Sequence, residues 1–281
     1  MKITDFDIYK NLLKEKSGLS ITQEKAYLLE SRLNPVAREF EFASIEAMGA
    51  ALQGVPDPKL VTAIVEAMTT NETSFFRDQH PFERFNDVVL PALLKERVYD
   101  RKMNIWCAAA SSGQEPYSLA MMLRDQSSKF GGWNISIKAT DISRDILDQA
   151  ATGIYSQFEV QRGLPITMLM NYFTELGDNK WQLKDEIRNM IKFDYFNLLD
   201  SMMGLGKFDV IFCRNVLIYF DEGDKRNILE NMAKQLTPDG FLFLGGAETV
   251  IGITEAFLPM PGQRGIYVLK DSPHLQAKAA E

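Results

Sequence analysis

The apolar positions of this chain follow two different periods, one on each side of about residue 100. From the start to about residue 70 they recur at helical spacing, and no convincing strand interrupts them. Leu28, Leu29, Leu33 and Val36 share one helix face, and Pro35 is expected to end or bend that helix. Val61, Ile64, Val65 and Met68 mark a second amphipathic helix that begins after VPDP at 55–58. Residues 71–100 read as a connector carrying NETSFFR and a helix near Pro81–Leu94.

From Asn104 the pattern changes to short apolar runs alternating with helical stretches. Strands are predicted at Asn104–Ala108, Ile135–Thr140, Ile191–Phe196, Phe208–Cys213, Gly240–Gly245 and Gly265–Lys270, with helices near 116–126, 143–150, 166–173 and 222–236. Such alternation implies an α/β fold with a largely parallel sheet covered by helices on both faces. The stretch 153–190 is longer than one crossover needs. Its Gly177–Asp178–Asn179 turn, flanked by aromatic and apolar residues, predicts a small inserted hairpin. The expected organisation is a helical domain over 1–70, the connector, an α/β domain over 101–271, and a polar, alanine-rich tail from Ser272 that frays.

Composition changes this picture mainly by exclusion. The 281 residues are 46% hydrophobic and 25% charged, ordinary for a globular protein of one or two domains. No run approaches a membrane span, and MKITDFDIYK has no apolar signal core, so no membrane insertion is expected. Cys107 and Cys213 lie in apolar strand-like runs, which argues against a disulfide framework and for a cytoplasmic location. His80 and His274 have no neighbouring cysteines, so no metal site is expected. The net charge of −7 speaks against broad nucleic-acid binding.

The chemistry concentrates in NIWCAAASSGQEPYSLA, Asn104–Ala120: a buried strand, a turn of small residues, then a helix opening at Pro116. This is where α/β proteins bind nucleotide-like ligands, yet the turn holds one glycine, Gly113, where a dinucleotide fingerprint has three. It also holds a carboxylate, Glu115, which would repel a pyrophosphate from the helix N-terminus. The arrangement suits a ligand with an adenosine end and a cationic end, such as S-adenosylmethionine (SAM).

The later strand ends supply further candidates, each with a plainer reading beside it. Asp141 ends the second strand and suits the ribose hydroxyls, or else is a turn cap. Asn197–Leu198 follows the third strand: an amide for an adenine edge and a side chain to pack on the ring, or an ordinary turn. Arg214, Asn215 and Tyr219 follow the fourth, which borders the reacting group in this topology. There Asn215 fixes the ligand by hydrogen bonds and Tyr219 reaches the sulfonium or the substrate, or Tyr219 merely packs and Arg214 is a structural ion-pair partner. NETSFFR puts Asn71, Thr73 and Arg77 on one segment, which by itself reads as a helix cap with two core phenylalanines and a surface arginine.

Taken in order, NETSFFR, IWCAAASSGQEPYSLA, ATDIS, FNLL, FDVIFCRNVLIYF and LTPDGFLFLGGAE, with YLLESRL before them, closely resemble the CheR family of chemotaxis-receptor methyltransferases, which are protein-glutamate O-methyltransferases. The resemblance implies an all-helical N-terminal domain, then a Rossmann-like SAM-dependent methyltransferase sheet with a small antiparallel insertion. It implies cofactor contacts from Asn71, Thr73, Arg77, Glu115, Asp141, Asn197, Leu198, Arg214 and Asn215, with Arg77 and Tyr219 beside the methyl group. Gln114 departs from the pattern, standing where many members carry a second Glu, which leaves the cationic-ligand role to Glu115 alone.

The implied reaction methylates receptor glutamates, giving γ-methyl esters and S-adenosylhomocysteine (SAH), for sensory adaptation. The expected partner is the receptor's cytoplasmic helical bundle, met by a monomer. Lys25 and Arg32, seven residues apart, fall on one helix face and suit acidic receptor residues, or are simply solvated; residues 1–70 carry eight Lys/Arg against ten Asp/Glu, so the domain is not basic overall. The short tip at Leu176–Lys180 suggests that no receptor tail is tethered there. Rival readings are a methyltransferase for RNA or small molecules, a dehydrogenase, disfavoured by the missing glycines and Glu115, and a SAM- or SAH-sensing adaptor.

Overall fold

The computed structural model describes residues 3–275 and divides into two compact units. One takes the chain up to Thr70 together with Tyr219–Asp224; the other takes Asn71–Ile218 and the chain from Lys225.

The first unit is helical because its apolar residues recur every three to four positions. α1 (Ile3–Ser17) buries Phe6, Tyr9 and Leu13, and the Tyr9 hydroxyl donates to Ile45 O at 2.6 Å. α2 (Ala26–Glu39) buries Leu29, Leu33, Val36 and Ala37. Leu28 is only half-buried, and the helix runs on past Pro35 instead of ending there. Pro35 lies on the exposed face, where the carbonyl left without its N–H partner faces water, and Val36 and Ala37 just beyond it are buried. α3 (Ile45–Ala51) is capped by Ser44, and α4 (Pro58–Met68) by Asp57, with Pro58 at the first turn where its missing N–H costs nothing.

Two further ties complete this unit. Arg32 donates to Met68 O at 2.9 Å and Thr69 O at 2.8 Å, closing the C-terminal end of α4. The second piece of chain is held by Ser20 N–H donating to Tyr219 O at 2.9 Å and by Lys14 pairing with Asp221 and Asp224.

The second unit opens with α5 (His80–Arg84) and α6 (Leu90–Glu96), joined by a π-turn over Phe85–Val89. One helix was expected here. Leu90 N–H instead bonds Phe85 O, five residues back, immediately before Pro91, which has no N–H to offer. The sheet strands are β1 (Lys102–Ala108), β2 (Asn134–Asp141), β6 (Ile191–Tyr195), β7 (Phe208–Cys213), β8 (Leu236–Leu244), β9 (Phe257–Pro259) and β10 (Ile266–Leu269). Their order is β6-β2-β1-β7-β8-β10-β9, parallel except that β10 runs antiparallel to both its neighbours. α7 (Gln114–Asp125), α8 (Arg144–Thr152) and α12 (Glu222–Gln235) connect the parallel strands. β9 was not anticipated: it is three residues long, mostly exposed, and contains a proline tolerated only at an edge.

The parallel strands read as apolar runs because both sheet faces are covered. All six residues of β7 are buried, and Phe212 stacks on Phe243 with centroids 4.3 Å apart. At the opposite end of the sheet from the loops described below, Arg97 binds Asp209 at 2.9 Å and Asp239 at 2.5 Å.

Between β2 and β6 the chain inserts β3 (Ile154–Ser156), α9 (Gln157–Gln161), α10 (Ile166–Tyr172), β4 (Phe173–Gly177), β5 (Lys180–Leu183) and α11 (Asp185–Arg188). The strands form a three-stranded antiparallel sheet in the order β3-β5-β4, one strand more than the expected hairpin. Asp178 and Asn179 turn it with φ of 50° and 56°, as a tight hairpin requires.

The tail does not fray where expected. Ser272 is buried and His274 stacks on Phe241 while bonding Asp239 O at 2.9 Å; residues 276–281 lie outside the described part. Among the described residues no helix is long and apolar enough to cross a membrane, and no group of three or more His, Cys, Asp or Glu is arranged to hold a metal.

Candidate active site

In a parallel sheet the loops after the strands meet along one edge, and here the loops after β1, β2, β6, β7 and β8 carry almost every candidate. The turn after β1 is tightly wound: Ala109, Ser111 and Gly113 have φ of 60°, 51° and 91°. Glycine suits position 113, since φ 91° strains an L side chain and a Cβ there would crowd Ala150, Tyr117 and Tyr155 at 3.1 Å. α7 then begins at Gln114, two residues before Pro116. Gln114 is buried, and its Oε1 accepts from the Ser112 hydroxyl at 2.8 Å.

Asp141 ends β2 and binds two loops at once. Its Oδ2 accepts Ser111 N–H at 2.8 Å and its Oδ1 accepts Ser143 N–H at 3.0 Å. It therefore shapes the β1 turn whatever else it holds. Asn197 and Leu198, both buried, stand next to it, since Phe196 N–H donates to Asp141 O at 3.0 Å. The Asn197 Oδ1 accepts Leu199 N–H at 3.1 Å.

NETSFFR is pinned into this edge by its backbone. Ser111 Oγ donates to Asn71 O at 2.8 Å, and Phe76 N–H, at φ 50°, donates to the fully buried Ser118 Oγ at 3.0 Å. Phe75 is a core residue, as its plainer reading had it. Thr73 is half-buried. Arg77 uses Nη1 on Glu72 O at 2.8 Å.

Arg214 is the hub. Its side chain is 2% exposed, with Nη1 2.7 Å from Glu115 Oε2 and Nη2 2.7 Å from Asp78 Oδ2, and Nη2 also donates to Arg77 O at 3.0 Å. Glu115, to which the sequence gave the cationic-ligand role, thus has a cationic partner of its own: Arg214 takes its Oε2, and its Oε1 lies outside the pair. Burial pushes the Glu115 carboxyl above the usual carboxylate range, against the pull of Arg214, its hydrogen bond and Arg77, with Glu248 adding a push upward.

Asn215 follows with φ 60°, and its N–H and that of Val216 are both taken by Glu248. Tyr219 is half-buried and belongs to the segment grouped with the helical unit, whereas Arg77 belongs to the α/β unit. Arg32, read as either a docking or a solvated residue, instead spends its guanidinium on the end of α4.

Four residues escaped the sequence reading: Asp78, Ser111, Ser118 and Glu248. Asp78 directly follows NETSFFR and Glu248 ends LTPDGFLFLGGAE, so position alone pointed to two of them.

The donor set fits SAM. At this edge the carboxylates Asp78, Glu115 and Asp141 outnumber the guanidiniums Arg77 and Arg214, an excess of negative charge that suits a sulfonium and an ammonium and opposes a pyrophosphate. Cys107 and Cys213 are fully buried with burial raising their pKa values well above normal, so neither is a ready nucleophile.

Comparison with known proteins agrees with this reading. The model described as "CheR methyltransferase, SAM binding domain" matches residues 71–266, and "CheR methyltransferase, all-alpha domain" matches residues 4–69. The chain is 40% identical to a chemotaxis protein methyltransferase 1 of Vibrio cholerae, over 92% of this chain and 94% of that one. It is 38% identical to a chemotaxis protein methyltransferase of Vibrio parahaemolyticus, over 93% and 95%. It is also 39% identical to chemotaxis protein methyltransferase 1 of Pseudomonas aeruginosa, over 93% and 96%.

Proposed function

Because this chain belongs to the CheR family of SAM-dependent chemotaxis methyltransferases, we propose that it methylates glutamate side chains of methyl-accepting chemotaxis receptors. The products are glutamate γ-methyl esters and SAH, and the output is sensory adaptation. The reaction takes place in the cytoplasm, on the receptor's helical bundle.

One observation carries the substrate reading: over 92% of its length this chain is similar to a chemotaxis protein methyltransferase, and a glutamate acceptor asks no base of the site. A glutamate carboxylate has a pKa of about 4.3 and is already an anion at neutral pH, so it needs none. Its oxygen forms the new bond to the methyl carbon as the carbon–sulfur bond breaks and its electron pair goes to sulfur. SAM supplies the electrophilic methyl.

Asp141 and Asn197–Leu198 hold the ribose and adenine, with Asn71, Thr73 and Asn215 adding contacts, and Glu115 with Arg214 faces the charged end. Arg77 commits one donor to Glu72 O, which leaves others to orient the incoming carboxylate. Since anion and cation become neutral products, holding the carboxylate too tightly would slow transfer; Arg77 orients rather than clamps.

Incubation with methyl-labelled SAM and receptor-containing membranes tests this. Base-labile label on the receptor is the expected result; label on RNA alone, or none, overturns the substrate assignment.

A further inference from the structure

LTPDGFLFLGGAE ends in a glutamate to which neither the motif nor the chemistry above assigns a role. In the structure Glu248 folds back over the ends of two neighbouring strands. Its Oε2 accepts Gly245 N–H at 2.7 Å and Asn215 N–H at 2.8 Å, and its Oε1 accepts Val216 N–H at 2.9 Å. Three backbone donors from the ends of β7 and β8 thus converge on one carboxylate.

The residue it holds sits in a left-handed turn. Asn215 has φ 60°, a conformation costly for most L residues and more open to asparagine, whose side chain then projects from a fixed backbone. The fit is tight as well. A Cβ on Gly245 would lie 2.7 Å from Glu248 Oε2, 2.9 Å from Asn215 N and 3.0 Å from Asn215 Nδ2. Gly245 is glycine so that the carboxylate and the Asn215 amide can both close over its backbone.

We infer that Glu248 is a positioning residue for methyl transfer: its carboxylate, without touching SAM, fixes the left-handed turn that aims the Asn215 amide at the cofactor. The inference rests on the cofactor role proposed above for Asn215. A carboxylate is required because an amide at this place offers one acceptor oxygen and turns an NH2 group against backbone donors. The negative charge is met by hydrogen bonds from three N–H groups, so this acid serves geometry rather than ligand charge.

A double-mutant cycle read on SAH affinity by calorimetry, in the full chain, tests the inference. Glu248→Gln and Asn215→Gly are combined; the glycine keeps the left-handed backbone and removes only the side chain. Each single variant should weaken SAH about tenfold, and the double variant should bind no more weakly than Asn215→Gly alone. Turnover of Glu248→Gln at saturating SAM should also fall, on the order of 100-fold. Should Glu248→Gln fail to fold, Glu248→Asp, which shortens the reach, takes its place in the cycle.

Additive losses, or wild-type affinity and turnover in the Glu248 variant, overturn the inference. Unchanged affinity in Asn215→Gly overturns it together with the cofactor role of Asn215. None of these binding measurements involves a receptor, so failure of the glutamate-substrate reading shows itself separately, as missing receptor label beside an intact cycle.

Discussion

Arg214, at the end of β7, places its Nη1 2.7 Å from Glu115 Oε2, joining residues 99 positions apart in a nearly dry pair. Removing one partner of such a pair costs more than the pair contributes, because a buried charge is left behind. Arg214→Met should therefore destabilise the apo protein by about 3 kcal/mol and weaken SAH binding. The loss should depend on pH. Burial already raises the Glu115 carboxyl, and without Arg214 it rises further. A group whose folded pKa is raised contributes stability below its unfolded pKa and loses it as pH rises through the folded one. The melting-temperature gap between Arg214→Met and wild type should thus narrow from pH 8 toward pH 5; a gap constant over that range would contradict the assignment.

Asp141 has a second duty besides the proposed ribose contact, since its two oxygens hold Ser111 and Ser143 N–H. Asp141→Ala should weaken SAH by more than tenfold, the cost of a lost charged hydrogen bond plus a loosened turn. Asp141→Asn, which keeps one acceptor, should lose less. Calorimetry giving equal affinity for Asp141→Ala and wild type would remove the ribose role.

Arg77 separates binding from turnover. Arg77→Ala should lower kcat on the order of 100-fold while SAH binding stays within a few-fold of wild type. Measured with labelled SAM at saturation, wild-type turnover in this variant would sink its catalytic role.

Gly163 offers a remote test of the same segment. Its φ is 88°, and a Cβ there would lie 2.2 Å from Phe75 O, in the middle of NETSFFR. Gly163→Ala must push that backbone aside, at about 1–3 kcal/mol in stability. The displacement should also reduce kcat, because Arg77 lies two residues along. An unchanged kcat would mean that the segment adjusts without moving Arg77.

The architecture was largely legible because burial on both faces writes parallel strands as continuous apolar runs, as in Phe208–Cys213. What escaped depends on partners distant in the chain. Arg32 read as a docking or a solvated residue because its acceptors, Met68 O and Thr69 O, lie 36 and 37 residues on. The ion-pair reading of Arg214 came without a named partner because Glu115 is 99 residues away. Pro35 and Pro91 show the complementary limit: a proline's missing donor is local, but whether the helix continues is decided by what packs around it.

The grouping of Tyr219–Asp224 with the chain up to Thr70 bears on how the protein is born. As the chain leaves the ribosome, residues up to Thr70 emerge without the partners of Lys14 and Ser20, which follow only about 150 residues later, on the order of 10 s at bacterial elongation rates. Comparing protease protection of chains stalled at 245 and at 275, which keep residues 219–224 inside and outside the exit tunnel respectively, would expose that wait as a late gain in resistance near Lys14. The last strut of the helical unit is therefore delivered late, so a chain cut short before residue 219 carries neither a finished helical unit nor Tyr219.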